Sequence, residues 1–296
     1  MALDIAQQIT DSIIAELEKG AAPWVKPWRT LKQAPGAGMP YNPASGTQYR
    51  GVNHFWLGMQ PWALPWFVTY KQAQALGGTV KAGQKGTPVV YWNVHRKETL
   101  GDNGETVTSA YAFVKSYWVF NVEQCEGLEL PPMPETPAPD FDAEPGVMAL
   151  VDRLDLKGGL THAGDQAYFR PSTDAIVMPP MAAFNDAAHY HATLLHECVH
   201  ATGHDSRLKR LTPARFGSEE YAYEELVAEL GAAMLCAHTG INGDLRHAAY
   251  IESWLKALRN DKKFILSAAG KAQAAMDWLT KSQAQENEGE GEALAA

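Results

Sequence analysis

Apolar side chains recur at every fourth position near the start of the chain, at Ile5, Ile9, Ile13 and Leu17. That spacing places them on one stripe of a helix over residues 3–19, which Gly20 ends. The pattern then breaks: residues 21–46 are rich in Pro and Gly, with Pro-Trp at 23–24 and again at 27–28, and read as an irregular loop. Residues 69–76 return to helical spacing and are closed by Gly77 and Gly78. Residues 79–92 and 110–122 alternate β-branched and aromatic side chains with polar ones, on either side of Gly101-Asp102-Asn103-Gly104, and this predicts a β-hairpin. Residues 127–146 hold six prolines and five acids, the composition of a stiff, solvated linker. Beyond it, 147–156 is helical in spacing, 168–178 reads as a hairpin about Pro171-Ser172-Thr173-Asp174, and the chain from Phe184 onward is helical. A Glu- and Gly-rich tail over 281–296 has the composition of a disordered segment. The expected fold is α+β in two domains. An N-terminal α+β domain covers 1–126, the linker 127–146, and a C-terminal, mostly helical domain with a small β-hairpin or sheet covers 147–280.

Composition narrows the class. With 46% hydrophobic and 20% charged residues among 296, the chain can build real cores and is too sparsely charged to be disordered throughout. Its longest apolar stretch, 55–70, is interrupted by Gln60, Pro61 and Pro65 and falls short of the ~20 residues of a membrane span, so no membrane partner is expected. The first residues carry Asp4 where a secretory signal carries a positive charge, and no apolar run follows, so a cytoplasmic location is expected. Cys125, Cys198 and Cys236 form no C-x-x-C pair, which argues against a disulfide framework and a thiolate zinc site.

Charge changes the picture. The net −9 is unevenly spread: residues 1–122 hold 11 Lys and Arg against 7 Asp and Glu, whereas 123–296 hold 14 against 27. Between Lys19 and Lys97 there is no carboxylate at all. Seven of the nine tryptophans fall in the basic part, beside several Tyr and Phe. Cations interleaved with aromatics suit a single-stranded nucleic acid, whose phosphates the cations neutralise and whose unstacked bases the rings cover. The candidate cations are Lys26, Arg29, Lys32, Arg50, Lys71, Lys81 and Lys85, and the candidate stacking rings are Trp24, Trp28, Tyr49 and Trp56. The Gly83-Gln84-Lys85-Gly86 turn lacks the Gly-Lys-Ser/Thr ending of a phosphate-binding loop, and no nucleotide site is expected.

The C-terminal half carries a different chemistry. His196-Glu197-Cys198-Val199-His200 stands inside an apolar helical pattern that ends at Gly203. Residues i and i+4 lie one above the other on a helix, so both imidazoles can hold one ion with Glu197 beside it as general base, the arrangement of a peptide-hydrolysing metal site. Two imidazoles and a carboxylate favour Zn2+, and Mn2+ also tolerates such donors. A third protein ligand is needed. One source is His204. The other is a helix capped by Ser218, on which Glu225 and Glu229 stand one turn apart on one face. The same helix carries Ala228, Ala232 and Ala233, small residues that permit close approach to a neighbour. Glu229 sits in the more apolar part of that helix, where a carboxylate is tolerated best beside a cation, and burial therefore favours it as ligand. Cys198 packs as a small hydrophobe under this reading.

The chain resembles the ArdC-type antirestriction proteins of conjugative plasmids. The likeness rests on 9-ITDSIIAELEKG-20, 23-PWVKPW-28, 40-PYNP-43, 49-YRGVN-53, 69-TYKQAQ-74 and 119-VFNVEQ-124, and in the second half on residues 190–204 and 224-EELVAE-229. The resemblance implies a single-stranded-DNA-binding domain joined to a zincin-like metallopeptidase domain, together protecting incoming plasmid DNA from host restriction. A host restriction enzyme or another protein would be the peptidase substrate. In gluzincins the ligand glutamate is commonly followed four residues later by an acid that orients a metal-bound histidine, which favours Glu225 as ligand and Glu229 as its support. Two other readings stay open: a DNA-binding shield whose metal site is structural or regulatory and cuts nothing, and a DNA-dependent protease unconnected with restriction.

Overall fold

The computed structural model describes residues 5–19, 39–62, 64–100, 106–131, 143–184, 186–215, 217–241, 251–261 and 263–280. The loop expected over 21–46 lies outside them up to residue 38, as do the 101–104 turn, most of the linker and the acidic tail.

Helix α1 (Ile5–Glu18) forms where the fourfold stripe predicts, and Ile5, Ile9, Ile13 and Leu17 are all buried. A small hairpin, β1 (Tyr41–Asn42) and β2 (Thr47–Gln48), leads into α2 (Val52–Gly58), which buries Val52, Phe55, Trp56 and Leu57. No helix is predicted there, because its mostly apolar sequence has no polar face to reveal a period. Strand β3 (Phe67–Thr69) runs into α3 (Tyr70–Ala75) through a reciprocal cap. The Thr69 hydroxyl accepts from the Gln72 N–H at 3.3 Å, and the Gln72 side chain accepts from the Thr69 N–H at 2.8 Å. The predicted first strand of the long hairpin divides. β4 (Thr79–Val80) pairs with β7 (Cys125–Glu126), while β5 (Thr87–Leu100) pairs in antiparallel register with β6 (Thr106–Asn121). β3 joins the other edge of β6, so the sheet order is β3-β6-β5. The division occurs at Gly83, whose φ of +78° turns the chain in the left-handed region.

The second half opens with α4 (Ala143–Arg153), four residues inside the stretch expected to be linker. β9 (Tyr168–Arg170) and β10 (Ala175–Met178) form the predicted hairpin about a 3-10 turn at Pro171–Thr173. β8 (Gly159–His162), absent from the sequence reading, pairs parallel to β10 and makes it the central strand of three. The expected helical run from Phe184 resolves into α5 (Ala187–Thr202), α6 (Glu219–Thr239), α7 (Ile251–Asn260) and α8 (Phe264–Thr280). Ser218 caps α6 as predicted, its hydroxyl accepting from the Tyr221 N–H at 3.2 Å. The two halves do not keep separate cores. The stripe of α1 joins α4, α5, α6, α7 and α8 in one continuous apolar cluster that also takes in Val52, Phe55, Trp56 and Val90. Two smaller clusters, one of Leu57, Phe67, Val89 and Val119 and one of Val68, Ala73 and Cys125, belong to the first half alone. All three cysteines are free and buried. No described helix is long and apolar enough to cross a membrane.

Candidate metal centre

Helix α5 is held at its N-terminus by Asp186, whose carboxylate accepts from the His189 N–H at 2.8 Å, and its C-terminal turn stops at Gly203. It packs on α6 at the level where Val199 meets Gly231: a Cβ on Gly231 would lie 2.7 Å from Val199 Cγ2. Close approach therefore comes from a glycine, beside the alanines that the sequence singled out. From that crossing α5 presents His196 and His200 to Glu225 of α6.

Among the described residues, His196, His200 and Glu225 form the group whose ligand atoms gather around one point, all within 4.8 Å of one another. His196 Nε2 and His200 Nε2 are 3.1 Å apart, and the Glu225 carboxylate oxygens lie 3.5 Å from the first and 3.6 Å from the second. Donors ~2.0–2.2 Å from a tetrahedral ion are about 3.3 Å from each other, so this triangle fits a divalent cation in size and in donor type. Glu229, which burial favoured, is almost fully buried but is not part of this group. The preference for Glu229 is corrected accordingly. Burial ranks side chains by how apolar their surroundings are, whereas the height at which the two helices cross decides which carboxylate reaches the imidazoles. His204 also stands apart: its Nδ1 pairs with the Ser206 hydroxyl at 2.8 Å and its ring is edge-on to Phe169.

Two groups that sequence reasoning passed over surround the triad. The Glu224 Oε1 accepts from His200 Nδ1 at 3.2 Å, which fixes the ring with Nε2 turned to the centre. Arg210, in the loop after α5, donates to Glu224 from Nε at 2.9 Å and from Nη2 at 2.7 Å. It also donates to the Val199 carbonyl at 2.8 Å and the Thr202 hydroxyl at 3.1 Å, so one guanidinium ties the loop, α5 and α6 together. The tandem Glu224-Glu225 about two helical turns after the capping Ser218 is the available signal, since a metal-bound imidazole needs a carboxylate on its other nitrogen.

Electrostatics follow from these contacts. Burial raises the Glu224 carboxyl, but the hydrogen bonds and charges of Arg210 and His200 outweigh it and hold it at about 2. Burial likewise opposes ionisation of Glu225, and the two imidazoles overcome it, again to about 2. His200 is disfavoured as a cation by burial, yet the Glu224 hydrogen bond and the charges of Glu197, Glu224 and Glu225 bring it up to about 9. Glu197 goes the other way: burial pushes it up to about 7, with Glu225 adding to the rise and His200 and the Phe169 N–H opposing it. Glu197 and the triad line a cleft of about 810 Å³, bordered by Tyr168 and Phe169 of β9, Tyr221 and Tyr223 of α6 and Lys271 of α8.

The nucleic-acid candidates separate. Lys26, Arg29, Lys32, Trp24 and Trp28 lie outside the described residues. Lys71 and Lys85 are exposed, and Lys81 is exposed with its Nζ donating to the Glu123 carbonyl at 3.0 Å. Arg50 is paired with Asp277 of α8. Trp56 is corrected: it is 7% exposed and its Nε1 donates to the Pro88 carbonyl at 2.8 Å, so its ring is core and offers no face to a base. Tyr49 is half-buried, edge-on to Phe67, with its hydroxyl donating to the Phe67 carbonyl at 3.2 Å.

Comparison with known proteins agrees with this division. Residues 3–120 match the model of the N-terminal domain of anti-restriction factor ArdC, and residues 150–271 match that of a zincin-like metallopeptidase. The chain is 40% identical to an uncharacterised protein, y4eC, of Sinorhizobium fredii, over 98% of this chain and 96% of that one. It is also 38% identical to a DNA primase TraC of Escherichia coli over 92% of this chain, but that match spans 27% of the primase. Crystal structures of the antirestriction protein ArdC from plasmid R388 superpose with a TM-score of 0.76 for a metal-free form and 0.75 for a Mn(II)-bound form. Both are 38% identical; the metal-free comparison covers 97% of this chain and 99% of that one, the Mn(II) comparison 96% and 98%. With a relative of known family aligned end to end and both halves matched in order, the chain belongs to the ArdC family of antirestriction proteins, an ArdC N-terminal domain joined to a zincin-like metallopeptidase domain.

Proposed function

We propose that this protein shields incoming plasmid DNA from host restriction by binding it as single strands through its N-terminal half, with the His196–His200–Glu225 site holding a divalent cation in a structural or regulatory role. The observation that carries the second clause is the bracing of the triad. Its donors come from two helices, and Arg210 and Glu224 lock those helices and the following loop around them. A cation placed there ties α5 to α6, and its binding energy adds to the stability of the fold. The single-strand reading is supported by the carboxylate-free, tryptophan-rich span between Lys19 and Lys97 and by stretches 38% and 39% identical to this chain inside proteins named DNA primase. Zinc and manganese both suit the donor set. DNA contact is assigned to Lys26, Arg29, Lys32, Lys71, Lys81 and Lys85.

A second reading, a working metallopeptidase, is favoured by one observation: Glu197, buried between the two histidines, has its carboxyl pushed up to about 7, where a group can both accept and return a proton. In that case a bound cation supplies polarisation of a peptide carbonyl, and Glu197 moves the proton from the attacking water to the leaving amine. The test is plasmid transfer into restricting and non-restricting recipients with wild type, Glu197→Gln and His196→Ala/His200→Ala. The shield reading expects Glu197→Gln to protect like wild type. Loss of protection in Glu197→Gln, with metal content intact, would overturn it in favour of the peptidase.

A further inference from the structure

Strand β6 is the middle strand of its sheet, and helix α3 covers one of its faces in part. Phe120 lies opposite Val68 of β3, and both belong to an apolar cluster with Ala73 and Leu76 of α3. Trp118 stands two residues back along β6, hence on the same face, opposite Pro88 of β5. Strand β3 ends at Thr69, opposite Val119, so the residue that reaches the level of Trp118 on that side is Tyr70, the first of α3. Tyr70 is three residues before Ala73 and shares the side of α3 that packs on this face. The cluster stops where these two rings begin. Trp118 is 51% exposed and Tyr70 49%, the two highest values for large hydrophobic side chains among the described residues. Both rings stand on pinned backbone. Val119, next to Trp118, pairs with β3 on one side and β5 on the other. The reciprocal Thr69 and Gln72 cap that opens α3 is held in turn by Asn42, whose Nδ2 donates to Gln72 Oε1 at 3.1 Å. Exposed cations lie on both flanks: Lys71 follows Tyr70, and Lys85 precedes Gly86, which runs so close to Phe120 that a Cβ would lie 3.2 Å from its ring. Segments 64–97 and 106–122, which supply all of these residues, contain no Asp or Glu.

We propose that Trp118 and Tyr70, side by side where α3 meets β6, each stack on a base of single-stranded DNA, with Lys71 and Lys85 on the neighbouring phosphates. The proposal rests on the single-strand reading above and moves the stacking role away from Trp56 and Tyr49, which are spent on packing. Three features select this ligand. Two rings flanked by lysines differ from the continuous apolar patch that seats a protein. Cations on segments without a carboxylate suit a polyanion. Rings held on fixed backbone lose little freedom when a base covers them, and because every base has a π-face the site is tolerant of sequence.

The test uses the full-length protein and fluorescein-labelled oligothymidylate, with an abasic oligomer of equal length as second probe. Trp118→Ala and Tyr70→Ala are compared with Trp118→Phe and Tyr70→Phe, which keep a ring, and with Lys71→Ala/Lys85→Ala. All four positions are exposed, so thermal unfolding should match wild type. Each ring-to-alanine variant should lose roughly 5- to 150-fold in affinity for oligothymidylate. Its dependence on salt should stay unchanged, because no cation is removed, and on the abasic probe it should bind like wild type. Tyr70→Phe should bind oligothymidylate like wild type, and Trp118→Phe should keep most of the affinity that Trp118→Ala loses. The lysine variant should weaken binding to both probes and lower the slope of log affinity on log salt by about 1.4, ~0.7 for each single-strand phosphate contact. Wild-type affinity in both alanine variants, with loss confined to Lys26→Ala/Arg29→Ala/Lys32→Ala, would overturn the site and leave the single-strand reading standing. Equal losses on the abasic probe would show that the rings do not stack on bases, and would also overturn it. Failure of wild type to bind oligothymidylate would overturn both readings. Alanine variants that bind DNA normally but no longer protect would assign the two rings to a protein partner and refute the proposal.

Discussion

His200 Nδ1 and Glu224 Oε1 lie 3.2 Å apart, and the same carboxylate accepts two hydrogen bonds from Arg210, one on each oxygen. Glu224 therefore positions His200 without touching the centre itself. Glu224→Gln keeps the shape but removes the charge that both neighbours lean on. Affinity for Mn2+ or Zn2+ should fall ~10–100-fold, as it does when a carboxylate behind a ligating histidine is lost. Isothermal titration of the metal-stripped protein measures it; unchanged affinity would return Glu224 to a purely structural role.

The ligand set itself makes a sharper claim. Glu225→Ala should abolish most metal binding, whereas His204→Ala should leave it intact, because His204 is turned toward Ser206. Wild type at a metal concentration 100 times its Kd should gain about 2.7 kcal/mol of stability. That increment should vanish in Glu225→Ala and survive in His204→Ala when melting is followed with and without metal.

Part of this site is legible in the chain and part is not. The i, i+4 spacing of His196 and His200 fixes two donors from local geometry alone, and Ser218 announces α6 in the same way. The third donor depends on a tertiary quantity, the height at which α6 crosses α5, and Glu225 and Glu229 share a face, so no local rule separates them. The fold divides similarly. The α1 stripe and the Thr69 cap are local and readable, whereas β8 is recognisable only once β10 is in place to pair with it. The aromatic excess of the first half is visible in composition, but composition treats buried Trp56 and exposed Trp118 alike. Only packing distinguishes a core ring from a surface one.

Gly231 is the point on which the α5–α6 crossing turns. Gly231→Ala adds a methyl 2.7–2.8 Å from both γ-methyls of Val199, a β-branched side chain with little freedom to move aside. Ala is worth about 1 kcal/mol over Gly in a helix, and overpacking costs ~1–3 kcal/mol, so the net should be zero to 2 kcal/mol destabilising. Metal affinity should fall as the helices separate. Val199→Ala in the same chain should restore the affinity, and a titration that finds no rescue would mean that Gly231 does not set the crossing.

Helix α1 packs its stripe into the core of the second half, on α7 among others, and this predicts that cutting at the linker is costly. The Glu18–Arg259 pair at its end is exposed and contributes little, so the apolar stripe does the holding. Ile9→Ala and Ile13→Ala should each lower stability by about 2–5 kcal/mol, and Glu18→Gln by less than ~1 kcal/mol. Urea unfolding distinguishes the two outcomes, and equal losses would show that the ion pair anchors α1. A fragment beginning at 147 should for the same reason melt well below the intact chain.

Arg207 and Asp174 form a buried, two-pronged ion pair between the loop after α5 and the turn before β10. Arg207 also donates to the Ala201 carbonyl at 2.7 Å and the Leu154 carbonyl at 3.0 Å, so three segments meet on one guanidinium. Burial alone would raise the Asp174 carboxyl, but its hydrogen bonds to Arg207 and to the Lys157 N–H outweigh that and lower it. A folded-state pKa below the unfolded value of ~3.9 means that the unfolded chain takes up the proton first as pH falls. The pair's contribution is therefore complete above about pH 5 and disappears as pH drops through the folded-state value, below the ordinary carboxylate range. Asp174→Asn leaves Arg207 buried without its counter-charge and should cost about 3–5 kcal/mol at pH 7. Urea titrations of wild type and Asp174→Asn should give a constant difference from pH 8 to 5 that narrows below pH 4. A difference that instead widens in acid would mean that Asp174 is held above its ordinary range and that the pair is not ionised in the folded protein.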